Sequence, residues 1–367
     1  MGGTSGSIPR SPEEITPEWL TSALREAGVL HGAKVTSVEA EGIGAGAGLF
    51  GQLARLRVAY NREEPGAPAS LIAKLPTTHE GNREIGNLFQ FYEREIRFYE
   101  DIAPSMQIRV PKCHVQIMDV EGDEYLMLLE DLAGATPGDE VAGCAVSTAD
   151  IAIRHLAEHH ATWWEHPSLA SLEWMPYVNA PVHQSAQDSY QQAWEPYVEV
   201  FGEMLTPYVR DVGERLRTKI IDLLNAFEPS PRTIIHGDFR LDNLFFDHPD
   251  GSPIAAIDWQ ISSRGRGMFD VAYFIVSSLE PEVRRAHEER LVRMWYAIVT
   301  ERGATGYSWD EAWLDYRKGV LYCNIYTVIG VGSMDAANER GLALQTAWVR
   351  RRSAAIEDLR CAEVLPE

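Results

Sequence analysis

The chain has 367 residues, 45% of them hydrophobic and 24% charged, which is enough apolar material for two lobes or domains. Its formal net charge of −21 argues against a nucleic-acid partner, because proteins that bind the phosphate backbone usually present a basic face. Four scattered cysteines without a CxxC pair, no bilayer-length apolar run and no signal-peptide core together predict a cytoplasmic protein with reduced thiols and no membrane association.

The N-terminal third predicts a disordered tail followed by a strand-rich region. Residues 1–14 are rich in Gly, Ser and Pro, a composition typical of disorder. A helix is expected from Pro17, because Thr16 can cap its start and Gly28 can mark its end. Hydrophobic periodicity then predicts strands over 33–44, 52–60 and 71–76, a helix over 83–102, and strands over 108–118 and 125–130.

After a linker near residues 130–135, the remainder of the chain is mainly helical in its spacing. Helices are expected over 148–166, 185–204, 206–227 and most of 270–359, with short strands between the third and the last of these. We therefore expect an α+β fold with two lobes. A small strand-rich lobe covers residues 15–132, and a larger, mostly helical lobe covers residues 133–367.

The stretch IIHGDFRLDNLFF, residues 234–246, places polar side chains between two apolar runs. Because unpaired buried polar groups are costly, it is either a solvated turn or a site. His236, Asp238 and Asn243 form the pattern H-x-D-x-x-x-x-N, and Asp258 ends the apolar run IAAID that follows. Phosphoryl transfer to a hydroxyl needs one carboxylate as base, and an amide oxygen and a second carboxylate as Mg²⁺ ligands. The motif therefore predicts a phosphotransferase site.

These motifs resemble those of the aminoglycoside phosphotransferase and choline kinase superfamily, which shares the bilobal protein-kinase fold. The stretches YEREIRFYEDIAP, LMLLEDLAGATPGDEVAG and HLAEHHATWW are most similar to the ecdysteroid-kinase-like branch. The resemblance extends from about Gly42 to the C-terminal helices. It implies a kinase that uses ATP and Mg²⁺ and a small-molecule hydroxyl acceptor.

The resemblance also implies roles for individual residues. Asp238 corresponds to the catalytic base, and Asn243 and Asp258 to the Mg²⁺ ligands. Lys74 would contact the α- and β-phosphates, and Glu95 would pair with it. Glu93 is the rival partner, although residues two apart on a helix point to different sides.

The nucleotide would be held by three further features that the resemblance implies. Gly44, Gly46 and Gly48 would form a loop that lets backbone approach phosphate. Backbone near Glu130 and Leu132 would meet the adenine at the hinge between the lobes. Arg240 stands where related small-molecule kinases often have His or Lys; it is either a γ-phosphate contact or a surface arginine, and we favour the phosphate contact.

Other polar residues are interpreted as structural. In this fold the motif His236 packs beneath the metal site, and Asp270 caps a helix and braces the catalytic loop. His159 and His160 lie beside tryptophans in a helix, so we expect packing rather than metal ligation. Only eleven residues separate Asp258 from Asp270, too few for an activation segment with an A-P-E motif, so no protein substrate is expected.

The acceptor is left open between two classes. The helical lobe is rich in aromatic residues, most of them at core spacing and some of them candidates for an apolar acceptor pocket: Tyr190, Trp194, Tyr197, Trp295, Trp309, Trp313, Tyr316, Tyr322 and Tyr326. With the branch resemblance, this favours a lipophilic or moderately polar alcohol, such as a sterol-like or acyl alcohol. The alternative is an aminoglycoside or a choline-like cation held by carboxylates.

Two readings from other classes are also open. The chain could be a nucleotide-binding pseudokinase that regulates a partner, although Lys74, Asp238, Asn243 and Asp258 are all present. A metal-dependent hydrolase built on His236 and Asp238 would need more ligands nearby than the sequence offers.

Overall fold

The computed structural model describes residues 7–43, 50–331 and 339–367, which belong to two compact units. The N-terminal unit contains Met1–Ser105 and Val110–Gly134, and the C-terminal unit contains Met106–Arg109 and Ala135–Glu367. The segment Met106–Arg109 belongs to the C-terminal unit, whereas the sequence predicted a single N-terminal lobe over residues 15–132. The reason is local pairing, because the backbone carbonyl of Arg109 accepts a hydrogen bond from the Ala256 N–H, 2.9 Å away.

The N-terminal unit is built on an antiparallel sheet with the strand order β1-β2-β3-β5-β4. Its strands are β1 (Val35–Gly42), β2 (Gly51–Tyr60), β3 (Ser70–Pro76), β4 (Cys113–Asp119) and β5 (Glu124–Glu130). Alternate residues such as Leu56 and Leu71 are buried in one core, together with Leu20 and Leu24 of the first helix. This alternation is why the strands were predictable from their period of two.

Helix α1 (Pro17–Glu26) begins as predicted, with the Thr16 hydroxyl accepting from the Trp19 N–H at 3.2 Å. The helix expected over 83–102 is interrupted at Gln90, whose φ of 56° is incompatible with a continuous α-helix. Its parts are α2 (Glu80–Leu88), α3 (Phe91–Arg97) and a π-helical turn (Phe98–Ile102). Part of the predicted tail also differs, because Pro12–Glu14 forms a 3-10 turn; Met1–Gly6 lie outside the described residues.

The C-terminal unit is mainly helical. Its helices are α4 (Val146–Thr162), α5 (Pro181–Gln184), α6 (Ala186–Phe201), α7 (Pro207–Leu216), α8 (Ile220–Ala226), α9 (Met268–Ser278), α10 (Pro281–Glu301), α11 (Trp309–Val331) and α12 (Glu339–Asp358). Every residue of α9 is buried, so this helix is the core around which the others pack. Within the described ranges, no helix combines the length and the apolar character that crossing a bilayer requires.

Short strands in the C-terminal unit carry the polar motifs. They are β6 (Thr136–Pro137), β7 (Thr233–Ile235), β8 (Leu244–Phe246), β9 (Ile254–Ala256) and β10 (Ser263–Gly265). Strands β6, β8 and β9 form one small sheet, and β7 pairs with β10. The segment His236–Asn243, here called the motif loop, joins β7 to β8, and Asp258 follows β9. The antiparallel sheet and the helical unit confirm the predicted α+β, protein-kinase-like fold.

Candidate active site

Strands β8 and β9 pair in a hairpin, which brings the end of the motif loop close to Asp258. Leu244 pairs with Ala256 in the hairpin, and the Ile257 N–H donates to the Asn243 carbonyl at 3.0 Å. Asn243 and Asp258 therefore lie at the same end of one hairpin, although they are far apart in sequence. The hairpin thereby brings together the two residues that the sequence proposed as metal ligands.

His236 connects the motif loop to the backbone before Asp258. Its Nδ1 accepts from the Asp238 N–H at 3.2 Å, and its Nε2 lies 2.9 Å from the Ile257 carbonyl. Because Nδ1 is an acceptor, the proton resides on Nε2, which donates to that carbonyl. The ring is fully buried against Trp259, with centroids 4.5 Å apart. This is the packing role that the sequence predicted for His236.

The Asp238 carboxylate lies among several donors. Arg240 Nε is 3.1 Å from both carboxylate oxygens, and Asn243 Nδ2 is 3.0 Å from Oδ2. The Tyr273 hydroxyl of α9 also acts on this carboxylate and lowers its pKa. Burial alone would raise the pKa of Asp238, but the contributions that oppose burial, led by the positive charge of Arg240, outweigh it, so the net shift lowers this pKa. Asp238 is therefore ionised, as a general base must be before it accepts a proton.

Arg240 is not a surface arginine. Its side chain is 14% exposed, its Nη1 donates to Asp242 at 2.6 Å, and its guanidinium lies 5.5 Å from the Trp348 ring centroid. Burial alone would lower the pKa of Arg240, but Asp238, Tyr273 and Asp242 outweigh burial, so the net shift raises this pKa. The guanidinium is thus a fixed positive charge beside Asp238.

Asn243 and Asp258 have the atoms that a magnesium ion prefers. Both protons of Asn243 Nδ2 point to Asp238, one to its carbonyl at 2.9 Å and one to its carboxylate, so the amide oxygen points elsewhere. Asp258 has a left-handed φ of 64°, which is uncommon for a residue other than glycine. Two hard oxygen ligands fit Mg²⁺, which completes its octahedron with water and phosphate oxygens. Among the described residues, no group of three or more His, Cys, Asp or Glu side chains could form a separate metal site.

Asp270 of α9 anchors the start of the motif loop. Its carboxylate is fully buried and accepts from the His236 N–H at 2.7 Å and the Gly237 N–H at 2.9 Å. His160 Nε2 is 3.2 Å from the same carboxylate, and His160 Nδ1 accepts from Trp295 at 3.0 Å. The sequence predicted this bracing by Asp270, but its prediction that Asp270 also caps a helix is wrong, because α9 starts after Gly267 without a side-chain cap. His160, which the sequence assigned to packing alone, also bonds to Asp270.

In the N-terminal unit, Lys74 and Glu95 form the ion pair that the sequence proposed. Lys74 Nζ is 2.5 Å from Glu95 Oε2, and the side chains are 13% and 2% exposed. The rival Glu93 pairs instead with Arg97, 2.7 Å away on the same helix. The proposed glycine loop, with Gly44, Gly46 and Gly48, lies outside the described residues.

The two predicted hinge residues lie at the end of β5: Glu130 is its last residue, and Leu132 follows the strand. The Glu130 carboxylate accepts from the Lys112 N–H at 3.0 Å, and Leu132 is 4% exposed. Between them, Asp131 accepts two hydrogen bonds from Arg55, at 2.7 and 3.2 Å. The sequence analysis did not predict this ion pair, because no local pattern links Arg55 on β2 to Asp131 after β5.

A cavity of about 420 Å³ opens beside this ion pair within the N-terminal unit. Its lining includes Arg55, Asp131 and Ser70. Ser70 and Lys74 are both on β3 and, four residues apart, face the same side of the sheet. The cavity therefore lies on the sheet face that carries Lys74.

Most of the aromatic residues considered for the acceptor pocket belong to the core. Six are buried: Tyr190, Trp194, Tyr197, Trp295, Tyr316 and Tyr322. Three are partly buried: Trp309, Trp313 and Tyr326. Tyr273 and Trp348, which approach Asp238 and Arg240, were not among the candidates, since no sequence pattern links them to the motif loop.

Solved structures of other proteins share this fold. A choline kinase from Cryptosporidium parvum has a TM-score of 0.56 and 12% identity, with 90% of this chain and 92% of that chain covered. A GDP complex of wild-type aminoglycoside 2'-phosphotransferase-IIIa has a TM-score of 0.55 and 14% identity, with coverage of 88% and 93%. At these identities the likeness shows the fold.

Curated relatives match only part of their own length. Acyl-CoA dehydrogenase family member 11 of Gallus gallus is 23% identical over 216 residues, which are 58% of this chain and 24% of that protein. Acyl-CoA dehydrogenase family member 10 of Mus musculus is 34% identical over 73 residues, 19% of this chain and 7% of that protein. The chain thus spans less than a quarter of the length of either relative.

The sequence matches the ecdysteroid kinase-like family over residues 45–302, which is more than half of the chain. This range includes the ion pair of Lys74, the motif loop and Asp258. The resemblance inferred from the motifs is confirmed, and the chain belongs to the ecdysteroid kinase-like family.

Proposed function

We propose that the chain is a small-molecule kinase that transfers the γ-phosphoryl group of ATP, with Mg²⁺, to a hydroxyl of a small acceptor. The observation that carries this proposal is the linkage through His236, which holds Asp238 on one side and the backbone before Asp258 on the other. A base and a metal ligand in fixed relation are what phosphoryl transfer requires. Membership of a kinase-like family supports the same chemistry.

In the proposed reaction Asp238 orients the acceptor hydroxyl and accepts its proton as the oxygen attacks the γ-phosphorus. The bond between that phosphorus and the β,γ-bridging oxygen breaks, which yields ADP and a phosphate monoester. Arg240 stabilises negative charge next to the base, and Lys74, held by Glu95, binds the α- and β-phosphates.

Mg²⁺ would be held by the Asn243 amide oxygen and the Asp258 carboxylate. When bound, it would neutralise phosphate charge during transfer. Backbone near Glu130 and Leu132, with the glycine loop of Gly44, Gly46 and Gly48, is proposed to hold the nucleotide. The cavity on the Lys74 face of the sheet offers room for part of it.

For the acceptor we propose a lipophilic or moderately polar alcohol. Support comes from the family and from the aromatic side chain of Tyr273 near Asp238. Two guanidinium groups already lie over the Trp348 ring, that of Arg352 at 4.3 Å and that of Arg240 at 5.5 Å from its centroid. This ring is therefore a poor cage for a choline-like cation. The named activities of the two solved structures keep aminoglycosides and choline as the alternative class.

The test is a screen for ADP release from Mg-ATP, run in parallel on wild type and Asp238→Ala. The panel contains sterols, hydroxyacyl compounds, aminoglycosides, choline and ethanolamine. A phosphorylated product that requires Asp238 supports the proposal and identifies the acceptor class. Tight Mg-ATP binding without transfer to any acceptor would instead favour a pseudokinase that regulates a partner.

A further inference from the structure

Glu140 is a fully buried carboxylate that the proposed chemistry does not use. It lies between β6 and α4 and reaches the far end of the motif loop. Its Oε2 accepts from the Leu241 N–H at 2.9 Å and from the Ser278 hydroxyl at 3.0 Å. Its Oε1 accepts from the Trp348 indole N–H at 3.2 Å.

The donors around Glu140 stabilise its charged form. Each of its two oxygens meets an N–H group that can only donate, the Leu241 amide at one oxygen and the Trp348 indole at the other. A carboxylate can therefore accept every hydrogen bond that this side chain makes. Burial raises the pKa of Glu140, and the charge of Arg240 and the Leu241 N–H oppose this rise.

Glu140 also reaches the next residue of the loop through its own backbone. Its N–H donates to Asp242 Oδ1 at 2.9 Å, and the other oxygen of Asp242 accepts from Arg240 at 2.6 Å. The ring of Trp348 lies against the guanidinium of Arg240. One buried residue thus fixes the Leu241 amide, the Asp242 carboxylate and the indole on which Arg240 rests.

The two halves of the motif loop consequently have separate anchors. Asp270 binds the amides of His236 and Gly237, which precede Asp238. Beyond Asp238, the side chains of Arg240 and Asn243 bond to the base directly, and a second anchor fixes the backbone between these two residues. Glu140 supplies that anchor from a distant part of the chain.

We propose that Glu140 and Trp348 are a positioning pair, which holds the Arg240–Asn243 half of the motif loop in the geometry for phosphoryl transfer. This inference rests on the proposed kinase function. Neither residue is expected to touch the nucleotide or the acceptor. Their effect on the reaction is exerted through Arg240 and Asn243.

The test compares Glu140→Gln, Trp348→Phe and the double variant, with turnover expressed per Mg-ATP binding site. Glu140→Gln keeps the shape but presents an amide N–H₂ to one of the two N–H donors, so kcat should fall about 10- to 100-fold. Binding of Mg-ATP should weaken by much less than kcat falls. Trp348→Phe keeps a ring under Arg240 and should cost less. Both substitutions break the same hydrogen bond, the one between Trp348 and Glu140. The fold loss of kcat in the double variant should therefore be smaller than the product of the two single fold losses.

The matched control is Trp163→Phe, since Trp163 is buried and its indole N–H has no hydrogen-bond partner among the described residues. Its kcat should equal that of wild type. The proposal is overturned if Glu140→Gln keeps kcat within about twofold. It is also overturned if the loss matches the fraction of unfolded protein, or if the two single losses simply multiply.

A readout that needs no acceptor separates this inference from the proposed function. Amide hydrogen exchange at Leu241 should accelerate about 10-fold or more in Glu140→Gln, or in Glu140→Ala if the former keeps the bond, while Gly237 stays protected by Asp270. Unchanged exchange at Leu241 in both variants would overturn the anchor even if the enzyme is active. Accelerated exchange in a chain that transfers phosphate to no acceptor would retain the anchor and reject the kinase.

Discussion

The guanidinium of Arg240 lies against the carboxylate of Asp238, with Nε 3.1 Å from each carboxylate oxygen. This contact predicts the pH dependence of the reaction. A carboxyl whose pKa is lower in the folded chain stabilises the fold above its unfolded pKa, and that contribution is lost as pH falls through the folded pKa. The base should therefore stay ionised at pH values below the ordinary range for aspartate, which is about 3.9.

Arg240→Met should move the acid limb of kcat/KM to higher pH, because burial then raises the pKa of Asp238 without the opposing charge. The measurement is a pH profile of both proteins over the range in which they remain folded. Arg215→Met, at an arginine 51% exposed and paired only on the surface, is the control and should keep the wild-type profile. An unshifted limb in Arg240→Met would show that Arg240 does not set the ionisation of the base.

Removal of the base itself should abolish turnover and spare binding. Asp238→Ala is expected to lower kcat by about 10²- to 10⁴-fold, the usual contribution of a general base. Calorimetric titration should give a Kd for Mg-ATP close to that of wild type. Asp211→Ala, at a carboxylate 63% exposed, is the control. A kcat of Asp238→Ala within about tenfold of wild type would mean that another group accepts the proton.

Asp258→Asn tests the metal assignment without disturbing the backbone, because asparagine tolerates the left-handed φ of this residue. Loss of the charge should weaken Mg²⁺-dependent ATP binding about 10-fold or more. In wild type, EDTA should weaken ATP binding, and in the variant it should have little further effect. A variant that responds to EDTA as wild type does would place the metal elsewhere.

Gly237, in the turn before Asp238, and Gly251, between β8 and β9, allow a matched pair of glycine substitutions. Gly237 has a φ of +87°, and a Cβ there would lie 2.8 Å from the Ile261 carbonyl oxygen, whereas Gly251 has a φ of +89° with open space around it. Gly251→Ala should cost about 1–2 kcal/mol from backbone strain alone. Gly237→Ala should cost about 1–3 kcal/mol more from the contact and should also lower kcat. Equal free energies of unfolding for Gly237→Ala and Gly251→Ala, measured in urea, would show that the turn accommodates a Cβ at residue 237 without further destabilisation.

The ion pair of Lys74 with Glu95 predicts non-additive kinetics. Lys74→Met removes the phosphate contact and should reduce kcat/KM by about 10²-fold or more. Glu95→Gln leaves the ammonium but frees it, so its loss should be smaller. In the double variant Glu95→Gln should add almost nothing, because the ammonium that it positions is gone. Lys34→Met, at an exposed lysine, is the control; losses that multiply would argue that Glu95 acts independently of Lys74.

The fold was largely predictable because its signals are local. Thr16 and Pro17 mark the start of α1, and strands β2 and β3 of the N-terminal sheet alternate in burial. The break at Gln90 was not predictable, since a left-handed residue other than glycine is stabilised by packing. One such contact is the hydrogen bond from the Arg94 guanidinium to the Phe89 carbonyl, 2.6 Å long.

The candidate site shows the same limit. Asp238, Asn243 and Asp258 follow from a motif of fixed spacing, and the resemblance adds the pairing of Lys74 with Glu95. Glu140, Tyr273 and Trp348 could not be found in this way, because their contacts with the motif loop come from three separate parts of the chain. Only the three-dimensional packing reveals that they converge.

The contact between Glu140 and Trp348 has a consequence for the order in which the protein is made. Glu140 is translated before the motif loop, but its partner lies on α12, which leaves the ribosome long after that loop. On a nascent chain the Glu140 carboxylate meets water instead of the indole. We therefore expect the motif loop to reach its active geometry only after α12 has been synthesised. A stalled translation product that ends before α12 should be inactive, although it contains every residue of the motif loop.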